Sequence, residues 1–194
     1  MVNKDVFKRG FKTWCENVAG LQRKSLGLRP TDPLDAVRLA KHLGVDVWTP
    51  DDIPGINPEC VKILLYEDPD SWSAVTISVD AKDLIIVNPM HTGGRSASNL
   101  MHELAHILIG HEPARVDVSE DGYLMLSTFD KTQEEEAKWL CGCLLLPREA
   151  LLLIRKQGMN LSLAKGTYGV SLDMIHYRMQ VTGIAKSAGY TRRK

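Results

Sequence analysis

The segment Asn99–His111, with the sequence NLMHELAHILIGH, is the feature that most constrains the fold of this chain. Its apolar residues recur at three- and four-residue steps, which predicts an amphipathic helix with one side packed into a core. His102 and His106 lie four positions apart, so a helix places both imidazoles on one face. The chain must therefore build a core against one side of this helix and leave the other side to the histidines and Glu103.

Two imidazoles at this spacing can bind a single metal ion. Glu103 follows the first histidine, which brings its carboxylate within reach of a water held by that ion. Zinc lowers the pKa of such a water, and a carboxylate can then accept its proton as general base and pass it to the leaving amine. The motif predicts one Zn²⁺ per chain and hydrolysis of a peptide bond. The alternative is an ordinary amphipathic helix.

A zinc ion with two histidine ligands requires a third protein ligand and an open position. The segment TQEEEAK, residues 132–138, opens another predicted helix. Zincins with a glutamate ligand commonly place it at such a helix start, with a small residue three positions later. Glu134 is similar to that pattern, with Ala137 as the small residue, and Glu136 is the second choice. The choice stays open, since glutamates in a first helical turn also suit the helix dipole.

Peptide hydrolysis also requires a group that stabilises the oxyanion. Tyr123 and Tyr177 are candidates for this role, although packed tyrosines are commoner, and His91 could line the cleft from the loop before the motif helix. His111 follows His106 by five positions, so we expect it off the ligand face, at the surface or as a charge at the helix C-terminus.

The order of predicted elements indicates an α+β fold, with a small, mostly antiparallel sheet packed with helices. Asp32 is expected to cap the second helix, and residues 111–130 are expected to be irregular. We expect the motif helix to start near Ser96 or Ser98, further helices at residues 3–23, 34–42, 132–145, 148–156, 162–167 and 171–181, and strands at 45–48, 61–65, 74–79 and 84–88.

The length of 194 residues is most simply one domain, residues 1–194. We expect N-terminal helices over residues 1–44, the sheet and the zinc-binding core over 45–147, and a helical region over 148–194. The strand at 74–79 could serve as the edge along which an extended substrate adds.

The composition excludes several classes of function. The formal net charge is +0, which argues against a surface built to bind nucleic acid. The apolar runs are too short to span a membrane, and the first ten residues lack the apolar stretch of a signal peptide. We therefore expect a cytoplasmic protein with no membrane partner, in which the four cysteines are free thiols.

Four segments make the chain resemble the ImmA/IrrE family of zinc metallopeptidases. They are PLDAVRLAKHLGVDVW (33–48), LIIVNPMHTGGRSASNLMHELAHILIGH (84–111), EEEAKWLCGCLLLP (134–147) and VSLDMIHYRMQVTG (170–183). The resemblance implies a zincin-like fold with His102, His106 and Glu134 as zinc ligands and Glu103 as general base. It also implies a cytoplasmic, prokaryotic or phage-borne protease that cuts helix-turn-helix repressors and so relieves repression during stress or mobile-element induction.

Lys138 departs from the family pattern, which has asparagine at this position. In related zincins the polar side chain there braces a zinc-bound histidine, but a lysine cannot accept a hydrogen bond. Either Lys138 turns to solvent and another acceptor, such as Asp130 or a backbone carbonyl, takes over, or the zinc site is weakened.

Two other functions are compatible with the same residues. The first is a non-catalytic regulatory module that binds a repressor without cutting it. The second is a DNA-binding regulator, because residues 164–178 resemble a helix-turn-helix. The second helix of that segment offers only Arg178 and His176 as basic residues, which makes the DNA-binding function the weaker of the two.

Overall fold

The computed structural model describes residues 7–79, 82–111, 115–118, 124–127 and 130–184. Within these ranges the chain forms helices and strands in an α+β arrangement. The helices are α1 (Phe11–Ser25), α2 (Ala36–Leu43), α3 (Pro58–Lys62), α4 (Gly94–Ile109), α5 (Lys131–Leu145), α6 (Arg148–Lys156), α7 (Leu161–Tyr168) and α8 (Leu172–Val181). The strands are β1 (Asp46–Trp48), β2 (Ala74–Val79), β3 (Lys82–Val87), β4 (Arg115–Val118) and β5 (Leu124–Ser127).

The main sheet is small and mixed. Its strand order is β1-β3-β2, so β2 is an outer strand. β1 runs parallel to β3, whereas β2 runs antiparallel to it with Thr76 opposite Ile85. β4 and β5 form a separate antiparallel pair. The α+β expectation is therefore confirmed, and the expected mostly antiparallel sheet is a mixed sheet with an antiparallel pair beside it.

α4 and α5 form the centre of the core. The buried side of α4 consists of Leu100, Met101, Leu104 and Ala105, which follow the helical period of the sequence. The second half of α5 is buried on every side, over residues 139–145, and α1 packs against it. These two helices position the functional site, because one carries the motif histidines and the other the glutamate run.

The expected strand at 61–65 is wrong. Asn57 caps a helix there by accepting from the amide of Glu59 at 2.9 Å, and Pro58 occupies the first helical position. α3 then continues into a π-helical turn over Ile63–Glu67. The apolar residues in this stretch do not alternate between core and solvent, since Leu65 is buried while Ile63 is 48% exposed.

The expected irregular stretch at 111–130 is also wrong, because β4 and β5 lie within it. Asp121-Gly122, between the two strands, is a hairpin signal that sequence reasoning could have used. The expected helix at 3–23 begins later, at Phe11, because Gly10 precedes it with φ of 90°. The N-terminal part of that expected helix, residues 3–6, lies outside the described residues.

The cap of α2 differs from the expectation. Asp35, not Asp32, accepts from the amide of Arg38 at 2.7 Å and caps the helix. Asp32 is instead engaged by Arg29, whose backbone amide and guanidinium both donate to its carboxylate at 2.9 Å. The helix therefore begins three residues after Pro33.

Two arginines are completely buried at the carboxyl end of α5. Arg23 donates to the carbonyls of Leu144 at 2.7 Å and Ala19 at 3.1 Å. Arg178 donates to the carbonyl of Leu146 at 3.0 Å and pairs with Glu16. The carbonyls at a helix end have no partner within the helix, so these arginines supply the missing hydrogen bonds and join α1 and α8 to α5.

The four cysteines are free, as expected, and Cys15, Cys141 and Cys143 are buried. None of the helices in the described part of the chain is long and apolar enough to cross a membrane.

Candidate metal centre

α4 is held at its first turn by a close backbone contact. A Cβ atom at Gly94 would lie 3.2 Å from the carbonyl oxygen of Gly169 and 3.3 Å from the amide of Ser171. Only glycine lets the start of α4 approach the α7–α8 turn so closely. This contact and the buried residues of α4 fix the direction in which the motif histidines point.

α5 brings its first turn to the same place. Asp130 caps the helix by accepting from the amide of Thr132 at 2.7 Å. Ala137 is completely buried, as is expected of a small residue where two helices approach closely. The first turn of α5, which carries Glu134, thereby lies against the polar face of α4.

Three side chains converge between these helices. The Nε2 atoms of His102 and His106 lie 3.1 Å apart. One carboxylate oxygen of Glu134 lies 3.1 Å from Nε2 of His102, and the other lies 3.4 Å from Nε2 of His106. His102, His106 and Glu134 are a group whose ligand atoms could hold one metal ion.

The spacing of these atoms fits zinc. Ligand atoms that lie about 2.1 Å from a tetrahedral zinc are separated from one another by about 3.4 Å. The two Nε2 atoms lie 3.1 Å apart, close to this value, and each lies 3.1–3.4 Å from a different oxygen of Glu134. One ligand atom from each of the three residues lies within 4.8 Å of the other two. Two imidazoles and one carboxylate are also a ligand set typical of hydrolytic zinc sites, in which a fourth position is left for water.

Glu103 lies beside this cluster and is held by the outer strand of the sheet. The hydroxyl of Thr76 on β2 donates to Oε2 of Glu103 at 2.6 Å. Burial raises the pKa of the Glu103 carboxyl, and Glu134 raises it further, whereas the Thr76 hydrogen bond and His102 oppose the rise. A carboxyl with a raised pKa accepts a proton more readily near neutral pH.

His106 is uncharged at neutral pH. Burial lowers its pKa to about 4, and the neighbouring His102 and His111 lower it as well. A neutral imidazole has the lone pair that a metal ion requires. Burial thus favours the protonation state in which His106 can act as a ligand.

His111 is not at the surface, which was one of the two positions expected for it. Its side chain is only 6% exposed, and its Nδ1 lies 2.9 Å from Nδ1 of His106. Its Nε2 lies 3.2 Å from Oε2 of Glu136. Glu136, the second choice for the third ligand, is therefore directed to His111, whereas Glu134 faces the motif histidines.

The remaining candidates lie elsewhere or outside the described residues. His91 is buried, and its Nδ1 lies 2.9 Å from the amide nitrogen of Asn99, one turn before the motif. The ring of Tyr177 packs against Trp139 and faces Gly142, further along α5 than Glu134. The structure thus does not bring Tyr177 to the cluster. Tyr123 lies outside the described residues.

Lys138 is exposed, so of the two alternatives for this residue the structure shows the turn to solvent. Asp130 is used as the N-cap of α5. Among the described residues, His111 contacts a motif histidine from outside the cluster, whereas it was expected at the surface or as a charge at the helix C-terminus. The dipeptide Gly110-His111, which ends the motif helix, was the signal that could have revealed it.

The fold and the site define an α+β protein with a two-histidine, one-carboxylate cluster suited to a metal ion. Residues 59–180, more than half of the chain, match the family model of Peptidase_M78, described as the IrrE N-terminal-like domain. The chain therefore belongs to this ImmA/IrrE family.

No curated protein matches the chain at a significant level. Among solved structures, a Mycobacterium tuberculosis transcriptional regulator is similar at 15% identity with a TM-score of 0.49. The match covers 90% of this chain and 48% of that one, so this chain spans about half of that protein's length. A likeness at this level carries no inference about what this chain binds.

Proposed function

We propose that the chain is a zinc-dependent metallo-endopeptidase with a zincin-like fold in a single domain. The observation that carries the proposal is the convergence of His102, His106 and Glu134 at 3.1–3.4 Å beside the buried carboxyl of Glu103. These three side chains would hold one Zn²⁺, which when bound would supply a Lewis acid that lowers the pKa of a water and polarises a carbonyl.

Glu103 acts as the general base in this proposal. Thr76 holds its Oε2 at 2.6 Å, so the carboxylate has a fixed orientation and the other oxygen, Oε1, is assigned to proton transfer. The raised pKa of the carboxyl favours acceptance of a proton from the attacking water. Glu103 then delivers this proton to the leaving amine, which needs it to depart as a neutral group.

The substrate binds along β2 in this proposal. β2 is an outer strand of the described sheet, and Thr76 on this strand contacts the general base. An extended peptide can add to such an edge through backbone hydrogen bonds, which places its peptide bonds beside Glu103. Following the family resemblance, we propose a helix-turn-helix repressor as the protein substrate and the cytoplasm as the place of action.

Glu103→Gln tests the proposal, because it keeps the hydrogen bond with Thr76 and removes the base. Wild-type protein loaded with zinc is incubated with fluorescein-labelled casein and with helix-turn-helix repressors from its own source, and mass spectrometry identifies new peptide termini. We expect the variant to bind zinc like the wild type and to cleave the substrate about 10²–10⁴-fold more slowly.

Glu135→Gln is the matched control, since it changes a neighbouring carboxylate that is not in the cluster. It should cleave and bind zinc like the wild type. If the wild type and Glu103→Gln relieve repression equally while the repressor stays intact, proteolysis is not the mechanism. The chain would then be a regulatory module that binds its partner without cutting it.

A further inference from the structure

His106 is contacted at both of its ring nitrogens. Its Nε2 lies 3.1 Å from Nε2 of His102 and 3.4 Å from Oε1 of Glu134, so this nitrogen faces the other two side chains of the candidate metal site. Its Nδ1 lies 2.9 Å from Nδ1 of His111. The ring is thus held between the cluster and a second histidine, a contact that the proposed function does not use.

The way in which α4 ends explains why His106 and His111 meet. Gly110 has φ of 78°, and its amide donates to the carbonyl of Ile107 at 3.0 Å. The amide of His111 donates to the carbonyl of His106 at 3.0 Å. This pair of hydrogen bonds is the Schellman ending of a helix, in which the residue after the glycine folds back onto the last turn, usually in an apolar contact. Here the contact is between two imidazoles.

His111 is held in turn by Glu136. Its Nε2 lies 3.2 Å from Oε2 of Glu136 on α5. The side chain of His111 is 6% exposed and that of Glu136 is 16% exposed, so water competes little for this hydrogen bond. A chain of hydrogen bonds therefore leads from Glu136 on α5 through His111 to His106 in the candidate metal site.

Each nitrogen in this chain has one role when His106 binds a metal through Nε2. A neutral imidazole carries one N–H, so the N–H of His106 is then at Nδ1 and donates to Nδ1 of His111. His111 accepts there and carries its own proton at Nε2, which donates to the carboxylate of Glu136. Because a carboxylate can only accept, Glu136 selects this order of donors from the far end of the chain.

We propose that His111 and Glu136 are a positioning pair that fixes the ring orientation and the tautomer of His106 as a metal ligand. The proposal rests on the zinc site of the proposed function, and it gives Glu136 a role other than that of third ligand. It also identifies the hydrogen-bond acceptor that Lys138 cannot supply. Removal of such a partner of a metal-bound histidine lowers metal affinity by about 10–100-fold.

The affinity for Zn²⁺, measured by competition with a chromophoric chelator, tests the pair. His111→Phe keeps a ring of similar size without the acceptor, and we expect about 10–100-fold weaker binding. His111→Asn places an amide oxygen near the position of Nδ1, and it should recover most of that loss. Glu136→Gln should weaken binding less than His111→Phe, and Glu135→Gln is the control that should leave the affinity unchanged.

The coupling between the two residues is a readout that loss of structure would not reproduce. Glu136 acts through His111, so Glu136→Gln should cause no further loss of affinity in the His111→Asn protein. Nitrogen NMR of the zinc-loaded wild type should show His106 with its proton at Nδ1. The absorption spectrum of the Co²⁺-loaded protein should change in His111→Phe and return towards that of the wild type in His111→Asn.

An unchanged zinc affinity in His111→Phe would overturn the proposal, as would a Glu136→Gln effect that persists in full in the His111→Asn protein. If His111→Phe does not fold, the asparagine and glutamine variants decide the same question. Glu103→Gln separates the two proposals, because it tests proteolysis at unchanged zinc affinity. A wild-type protein that binds no zinc would overturn both.

Discussion

The two ends of α5 meet polar side chains in different ways. At the carboxyl end, Arg23 and Arg178 donate to the carbonyls of Leu144 and Leu146. These donors supply hydrogen bonds to carbonyls at the end of the helix. At the amino end, Glu134 and two histidines of α4 direct their ligand atoms at one another at 3.1–3.4 Å. One end of α5 is therefore joined to α1 and α8 by buried arginines, whereas the other end contributes to a group of side chains that could hold a metal ion.

The difference predicts that substitutions at the two ends have separable effects. A buried donor that completes a helix end stabilises the native state whether or not metal is present. Side chains that surround a metal site contribute to the stability of the native state through the ion that they bind. Zinc content and thermal stability are thus the two measurements that distinguish the ends of α5.

His106→Ala should have the largest effect at the amino end. It removes one of the three proposed ligands, so we expect zinc content to fall from near one per chain to near none, as measured by elemental mass spectrometry. The melting temperature of the metal-free protein should change little. His176→Ala, at an exposed position on α8, is the control and should keep its zinc. If His106→Ala still binds about one zinc per chain, the metal site does not lie at the amino end of α5.

Arg178→Met should have the largest effect on stability. It leaves the carbonyl of Leu146 and the carboxylate of Glu16 without their buried partner, so we expect a loss of about 3 kcal/mol. That corresponds to a fall in melting temperature of about 10 °C by calorimetry. Zinc per folded chain should stay unchanged.

Arg95→Met is the matched control for Arg178→Met. Its guanidinium is 52% exposed in an ion pair with Asp70, so the loss should be about 0–1 kcal/mol. Equal losses in the free energy of unfolding would show that the buried Arg178 stabilises the fold no more than the exposed Arg95.

Gly142→Ala should destabilise the same end of α5 by a smaller amount. A Cβ at this position would lie 2.9 Å from Cδ of Arg178, whose guanidinium is fixed by Leu146 and Glu16. We expect a net loss of about 1 kcal/mol in urea unfolding despite the higher helix propensity of alanine. Gly20→Ala is the contrasting variant, since nothing lies within 4 Å of its Cβ and it should gain stability. A gain in both would contradict the close contact.

Thr76→Val should have the smallest effect. It removes the hydroxyl that holds Glu103 and leaves the zinc ligands in place. We expect kcat to fall roughly tenfold, which is about 1.4 kcal/mol, at unchanged KM and zinc affinity. Thr76→Ser keeps the hydroxyl and should retain most of the activity. A change in zinc affinity instead of kcat would place Thr76 in the metal site.

Local patterns were sufficient for the helices that bear the site. The apolar period of residues 99–111 predicts α4, and the segment TQEEEAK at residues 132–138 predicts the start of α5 to within one residue. Local patterns were insufficient where a helix-capping signal precedes residues that favour a strand. Residues 61–65 are rich in strand formers, but Asn57 and Pro58 begin a helix there. Capping and backbone geometry override a weak strand propensity.

The choice between Glu134 and Glu136 could not be made from the sequence. Both belong to the glutamate run of α5, and only the packing of α4 on α5 decides which carboxylate meets which imidazole. His111 was misplaced for a related reason. Helical spacing was extended past Ile109, although the glycine at 110 ends the helix and turns the chain back onto His106.

The sequence by itself determined the elements whose signals are local: two histidines on one face of a helix, a glutamate between them, and a second helix that opens with a run of glutamates. The tertiary structure decided how these elements meet, including the ligand cluster, the Thr76–Glu103 hydrogen bond and the Glu136–His111–His106 chain. The reason is that a helical period is set by neighbouring residues, whereas a contact across 27 or 32 positions depends on how whole helices and strands pack.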